Sequence, residues 1–460
     1  MFSIRYSTFD IFGFMFQPAG GHETLEKISK EMIMSIPALV KVLCVFGLVL
    51  VLNRVRLGLS LCLFIGSLIL GFWMQMGPVD VVWSALQSLA DIQTISLILI
   101  VASILVISRL MKESGHLDRI VEGFARISGD DRTAGSVLPA LIGLLPMPGG
   151  ALFSAPMVET SLARYPLTCE QQTAVNYWFR HIWEYWWPLY PTVVLVVTLL
   201  KVEMWQFIAI MLPMTIVMVL AGVIFILRPI KRKSVSQQKV FSSSGLKTFL
   251  WETMPIIIIV MVIIILAGLT SLLNLAGIHF KISGAVSILP GLLASVIWVW
   301  VVNRIPFRQL SAAVFDRNIY SIVFLVAAIM IFQGIMKDSR AVMDIRNELM
   351  AHRIPILLVI VIMPFLSGLI TGIGIGFVGT AFPLIIPLFP VSPLFDYLSY
   401  AALAFVFGFM GMMLSPVHLC FLVTKDYFKA NLLGSYRSIF KPLLTVMMAA
   451  VVLFVISRVL

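Results

Sequence analysis

The sequence has few charged residues, and its only polar run of any length is residues 229–248. Asp, Glu, Lys and Arg make up 12% of the 460 residues, whereas 60% are hydrophobic. A chain of this composition has too little polar surface to fold as a water-soluble globule. The sequence therefore predicts an all-α polytopic membrane protein, embedded in a lipid bilayer.

Cysteine is also scarce, and the four cysteines have neither metal-site nor disulfide spacing. We interpret them as small core residues. The net charge is +11, but the basic residues fall in loops between apolar runs, which is the pattern that sets membrane topology. We therefore expect no nucleic-acid partner.

Common catalytic motifs are absent. There is no zinc-type His-Glu-x-x-His, no Gly-x-Ser-x-Gly and no aspartyl pair, and no Lys-Ser/Thr follows a glycine group as in a phosphate-binding loop. An intramembrane enzyme acting on lipid would have to use Arg180, His181 and Glu184 on one helix, which is a thin catalytic set. We expect no enzyme and no cofactor.

Hydropathy windows of about 20 residues predict five membrane spans in each half of the chain. These are 36–54, 57–77, 93–111, 172–199 and 205–228, then 253–274, 282–303, 318–336, 397–424 and 438–458. A Gly/Pro-rich apolar stretch follows the third span of each set. We predict an N-terminal arm (1–35), a first repeat (36–228, with a hairpin at 136–160), a basic cytoplasmic linker (229–252) and a second repeat (253–460, with a hairpin at 354–390).

The two halves align without a gap at an offset of 225 residues. This register carries MKES (111–114) onto MKDS (336–339), Gly149 onto Gly374 and Pro191 onto Pro416. An odd number of spans in each copy makes the second copy enter the membrane upside down. The sequence therefore predicts an inverted-topology repeat, which is the usual framework of secondary transporters.

Loop charges favour hairpins that return to their own side of the membrane. With that topology most of the 33 lysines and arginines lie on one face, which the positive-inside rule makes cytoplasmic. Both termini then lie outside, and the two hairpins enter the membrane from opposite faces.

The first hairpin contains PMPGG, residues 146–150. Proline lacks a backbone N–H and glycine allows positive φ, and irregular backbone at membrane depth needs protein or water around it. We predict a hairpin tip whose bare backbone approaches a ligand, formed by Pro146, Met147, Pro148, Gly149 and Gly150. The alternative is close helix packing by small residues.

The matching stretch of the second half reads TGIGIGFVGT, residues 371–380. Its candidate ligand-binding residues are Thr371, Gly372, Gly374 and Gly376. The occurrence of two breaks at equivalent repeat positions favours the ligand-binding interpretation for both.

The span after the first hairpin contains ionisable residues, which are costly in lipid and usually face a cavity or a partner. Asn176, Arg180 and Glu184 recur at helical spacing, so the sequence predicts one polar stripe with Arg180 and Glu184 paired at i,i+4. His181 lies beside this stripe. Substrate contact by Arg180 and an internal ion pair bracing the hairpin both remain open. The neighbouring tryptophans favour an interfacial belt.

The equivalent span of the second half has no ionisable residue at these positions but keeps a proline break, SPVH at 415–418. Ser415 offers a hydroxyl and His418 an imidazole. Ser415 is equally well satisfied by its own helix, and a histidine in such a place is more often packed than a ligand.

The stretches LPMPGGALFSAP (145–156) and FRHIWEYWWPLYP (179–191) resemble those of the prokaryotic membrane family known as domain of unknown function 401. More distantly, the arrangement of residues 36–458 resembles the ion-transporter superfamily of gluconate permeases, divalent-anion symporters and arsenite pumps. The resemblance implies two inverted repeats around a midplane site, a homodimer, and transport of small anions with a coupling cation across the prokaryotic inner membrane. The Ser-Asn-Thr hairpin tip of the sodium/dicarboxylate branch is absent here, which argues against a dicarboxylate substrate.

The expected function is therefore secondary transport of a small organic anion. Half-helix dipoles and Arg180 would attract the anion, while freed carbonyls would bind Na⁺, or Glu184 and His181 would carry H⁺. The alternative is a cation/proton antiporter, which needs a buried acidic residue in its core. Glu184 is the clear candidate for that residue.

Overall fold

The computed structural model describes residues 36–127, 131–147, 149–230, 243–277, 284–352, 355–390 and 392–458. All regular elements within these ranges are helical, which confirms the predicted all-α class. The N-terminal arm (1–35) and residues 231–242 of the linker lie outside the described residues.

Ten helices of the described residues precede the linker. They are α1 Ala38–Arg54, α2 Leu59–Trp73, α3 Pro78–Ala90, α4 Ile92–Glu113, α5 His116–Ile127, α6 Asp131–Ile142, α7 Ala151–Ser161, α8 Cys169–Arg180, α9 Pro191–Leu200 and α10 Met204–Gly222, which continues as a π-helical turn, Val223–Leu227.

Within the ranges given above, one helix, α11 Ser243–Glu252, lies in the linker, and ten follow it. They are α12 Met254–Leu275, α13 Leu289–Val302, α14 Phe307–Val314, α15 Arg317–Asp338, α16 Ala341–Ala351, α17 Ile356–Thr371, α18 Gly374–Ile385, α19 Leu394–Met413, α20 Leu419–Tyr427 and α21 Leu432–Ser457.

The fourth helix of each half is long and begins with the same kind of cap. Helices α4 and α15 each contain 22 residues, and each begins after an aspartate that caps it. Asp91 accepts the backbone N–H of Gln93 at 2.9 Å, and Asp316, 225 residues later, accepts that of Asn318 at 2.7 Å. The two halves therefore use the same local signal at the same place in the predicted register.

Packing between the halves is reciprocal. Helix α2 packs against α15, and its counterpart α13 packs against α4; α9 packs against α18, and its counterpart α20 packs against α7. Reciprocal contacts of this kind are expected of a two-fold repeat. The inversion of the second half in the membrane stays a prediction.

Six helical segments in the described part of the chain are long and apolar enough to cross a membrane. They are Ile92–Glu113, Met204–Leu227, Met254–Leu275, Phe307–Asp338, Leu394–Met413 and Leu432–Ser457. Of the other predicted spans, 36–54 and 57–77 contain the shorter helices α1 and α2, the described part of 282–303 contains α13, and 172–199 is interrupted between α8 and α9. The chain has the architecture of a helical membrane protein, and the count of ten spans stays a prediction.

Each Gly/Pro-rich stretch forms two helices that pack against each other. Residues 143–150 join α6 to α7, and Gly372 and Ile373 join α17 to α18. Helices α6 and α7, with 12 and 11 residues, are about 18 and 17 Å long. Each is therefore about half as long as the hydrocarbon core is thick.

Contacts at the ends of each hairpin agree with a return to the same face. His116 precedes the first hairpin and lies 2.5 Å (Nδ1 to Oε2) from Glu252, which follows the hairpin and two further predicted spans. Lys337 precedes the second hairpin and lines one cavity with Lys201. Tyr397 follows the second hairpin, and its hydroxyl donates to the carbonyl of Leu200, next to Lys201, at 3.1 Å. A single crossing at either hairpin would place these partners on opposite faces.

Candidate functional site

The fourth predicted span is broken at its centre. Helix α8 ends at Arg180 and α9 begins at Pro191, so residues 181–190 form a non-helical segment that we call the first break. The interruption begins at His181, seven residues before Pro188. Arg180 and Glu184 therefore do not share a helical face, and the predicted i,i+4 pair is a long contact of 3.9 Å between Nη1 and Oε1.

Arg180 is 2% exposed and lies against the first hairpin tip. Its Nη2 donates to the Met147 carbonyl at 3.1 Å, whereas its Nε has no hydrogen-bond partner among the described residues. A side chain on Gly150 would collide with the guanidinium. The bare backbone of the tip thus leaves the space that the guanidinium occupies.

Asn176, one turn before Arg180, connects both halves of the chain. Its Nδ2 donates to the Ala151 carbonyl on α7 and to the Thr424 hydroxyl on α20, each at 3.1 Å. Its Oδ1 is buried without a partner among the described residues. An acceptor at the hairpin tip therefore remains free for a donor.

A histidine pair joins the first break to the second. His181 Nε2 lies 3.1 Å from His418 Nε2, and the two side chains are 0% and 7% exposed. The Nδ1 of His181 lies 2.6 Å from the Tyr177 carbonyl, and that of His418 lies 2.6 Å from the Gly372 carbonyl. Carbonyl oxygens only accept hydrogen bonds, so both rings carry their proton on Nδ1.

The second break, residues 414–418, separates α19 from α20. It packs on the second hairpin tip, since a side chain on Gly372 would meet Ser415 and His418. Gly149 and Gly372 have φ values of 70° and 66°, which glycine adopts without strain. The sequence register paired Gly149 with Gly374, but the left-handed residue of the second tip lies two positions earlier because its turn is shorter.

The remaining predicted site residues are placed less centrally. Thr371 donates to the Ser367 carbonyl of its own helix at 2.7 Å, and Gly374 packs against Thr192 on α9. Gly376 packs against Thr371. Pro146 is half-buried, and Pro148 lies outside the described residues.

Aromatic residues of the first break hold the end of α6. The indole nitrogens of Trp183 and Trp187 donate to the Ala140 and Leu144 carbonyls, each at 2.9 Å, and the Tyr190 hydroxyl donates to Gly143 at 2.5 Å. The last carbonyls of a helix have no partner within the helix. These indoles therefore satisfy carbonyl groups of the first hairpin, whereas their role in an interfacial belt stays a prediction.

Sequence reasoning missed the contribution of Cys420 to the site. This residue was interpreted as a small core residue, and it is buried, but its Sγ lies within 4.8 Å of a ring nitrogen of both His181 and His418. The His-x-Cys spacing of 418–420 at a helix break was the available signal. Thr424 was also missed, because nothing in the sequence connects it to Asn176.

The fold and the buried charges define a helical membrane protein with a polar centre between two broken helices. The chain belongs to the family described as protein of unknown function (DUF401), whose profile matches residues 37–456. No curated protein matches the chain.

Proposed function

We propose that the protein is a secondary active transporter of a small organic anion, coupled to a cation. The observation that carries this proposal is Arg180, a buried cation at a hairpin tip with an Nε donor that no described residue satisfies. A buried charge without full compensation is costly. An anion that enters the site supplies the missing acceptors.

The helix termini favour the same ligand charge. Helix α7 begins at Ala151, next to Gly150 and the Arg180 guanidinium, and α20 begins at Leu419, next to the histidine pair. Helix N-termini carry partial positive charge and free N–H groups. Together with Arg180 they make the centre attractive for an anion, while Glu184, 14% exposed, offsets only part of that charge.

The proposal includes placement in the ion-transporter superfamily and an inverted repeat. Its support is the reciprocal packing of the two halves and the contacts at the hairpin ends, which agree with a return to the same face. Alternating access then consists of movement of the hairpins and broken helices relative to the remaining spans.

The test is a thermal-shift screen of the purified chain against acetate, lactate, gluconate, succinate and citrate, with Na⁺ or choline and across pH. The anion that gives the largest shift is then used in radiolabelled uptake into proteoliposomes. We expect Arg180→Gln to abolish both the shift and the uptake. Arg308→Gln, which removes an exposed arginine, should leave both unchanged.

Undiminished uptake by Arg180→Gln would reject the assigned role of this residue. Proton movement driven by Na⁺ without any organic solute would reject anion transport and identify a cation/proton antiporter.

A further inference from the structure

The site contains a feature that anion recognition does not require. Both imidazoles donate from Nδ1 to a carbonyl oxygen at 2.6 Å, so each neutral ring presents its Nε2 lone pair. The two Nε2 atoms lie 3.1 Å apart, and both side chains are buried. Two acceptors at this distance repel each other unless a cation lies between or beside them.

A third donor atom converges on the same point. The Sγ of Cys420 and a ring nitrogen of each histidine all lie within 4.8 Å of one another, and all three side chains are buried. We infer that His181, His418 and Cys420 bind one transition-metal cation of the Zn²⁺ type.

The geometry suits this class of ion. Tetrahedral zinc with Zn–N bonds of about 2.0–2.1 Å places two ligand nitrogens roughly 3.4 Å apart, close to the 3.1 Å between the two Nε2 atoms. Imidazole and thiolate together are ligands of zinc and related metals, whereas Mg²⁺ and Ca²⁺ take oxygen ligands.

The surroundings of the rings match those of metal-bound histidines. Such histidines almost always donate their other N–H to a carbonyl or carboxylate, which fixes the ring. Tyr177 and Gly372 supply these carbonyls. On the remaining side, Glu184 Oε1 lies 3.7 Å from His181 Nε2, within reach of a fourth coordination position.

The ligands come from both halves of the chain. His181 belongs to the first break, whereas His418 and Cys420 belong to the second break and the start of α20. A bound metal therefore joins the two breaks. This inference does not depend on the proposed anion transport, because metal binding is measured without a transported solute.

A shared proton between the two Nε2 atoms is the competing explanation. It would relieve the same repulsion, but it would give Cys420 no part in the site. Replacement of the cysteine therefore distinguishes the two.

The test uses the full-length chain, purified in detergent and stripped with a chelator. It is titrated with Co²⁺ and then Zn²⁺, with bound metal counted by mass spectrometry and cobalt coordination followed by absorption. We expect about one Co²⁺ per chain with a thiolate-to-cobalt charge-transfer band, displaced by Zn²⁺. Cys420→Ser should remove the band and weaken binding at least about tenfold.

Cys62→Ser is the matched control, because Cys62 is also buried but lies on α2, and it should keep the band. His418→Gln is a second variant should Cys420→Ser fail to fold, and it should also lose affinity at least about tenfold. A wild-type chain that takes up no Co²⁺ or Zn²⁺, as the shared proton predicts, would overturn the inference. A charge-transfer band that survives in Cys420→Ser would do the same.

Discussion

The two helix breaks share a backbone plan but differ in chemistry. The first spans residues 181–190 and follows Arg180, whereas the second spans 414–418 and has no carboxylate or guanidinium. At the register positions of Arg180 and Glu184 the second half has Phe405 and Phe409, both buried among other aromatic rings. Under the proposed function, charge recognition therefore belongs to the first half alone.

Replacement of Arg180 by lysine tests this asymmetry with the largest expected effect. Lysine keeps the charge but not the planar fork that bonds a carboxylate with two N–H groups. We expect anion uptake to fall by about ten- to a hundredfold, the equivalent of a charged hydrogen bond. Phe405→Leu, at the matching position, should change uptake less than about twofold if recognition is confined to the first half. Equal losses in both variants would show that the halves share recognition.

The variants Gly149→Ala and Gly372→Ala compare the two hairpin tips, because both glycines have a positive φ. Both substitutions are strained by the positive φ, at about 1 kcal/mol. A side chain at position 149 meets open space, whereas one at 372 meets Ser415 and His418. We expect Gly372→Ala to lower the free energy of unfolding in detergent by about 2–3 kcal/mol and Gly149→Ala by about 1 kcal/mol. Equal destabilisation by the two variants would mean that packing against the second break does not stabilise the second hairpin tip.

Tyr190→Phe is the smallest perturbation of the three. It removes the hydrogen bond to the Gly143 carbonyl at the end of α6. We expect a loss of about 1 kcal/mol in stability, measured by thermal unfolding, because one buried acceptor is left unpaired. Tyr400→Phe in the second half, whose ring packs edge-on against Phe454, should cost less. A larger loss of stability in Tyr400→Phe than in Tyr190→Phe would show that the aromatic residues of the first break do not stabilise the end of α6.

Much of this architecture could be predicted because its signals run along the chain. Hydropathy located the six long helices, and the 225-residue register aligned the caps at Asp91 and Asp316. The Gly/Pro-rich stretches gave the positions of the two turns. Local rules suffice for each of these features.

The site itself needed three-dimensional packing. The contact between His181 and His418 joins residues 237 apart, and the bond from Asn176 to Thr424 joins residues 248 apart. No local sequence pattern specifies which helix faces pack against each other. The predicted i,i+4 pair of Arg180 and Glu184 is a long contact of 3.9 Å, because the helix ends at Arg180.

The most direct test of the account is impermeant thiol labelling at the ends of both hairpins. In a chain with Cys44, Cys62 and Cys420 replaced by alanine, the exposed Cys169 and Glu122→Cys flank the first hairpin, and Lys337→Cys and Leu394→Cys flank the second. If each hairpin returns to the side it left, positions 122 and 169 are protected in intact cells, and 337 and 394 are both labelled. Labelling of only one position of either pair would show that the hairpin crosses the membrane, and would contradict the account.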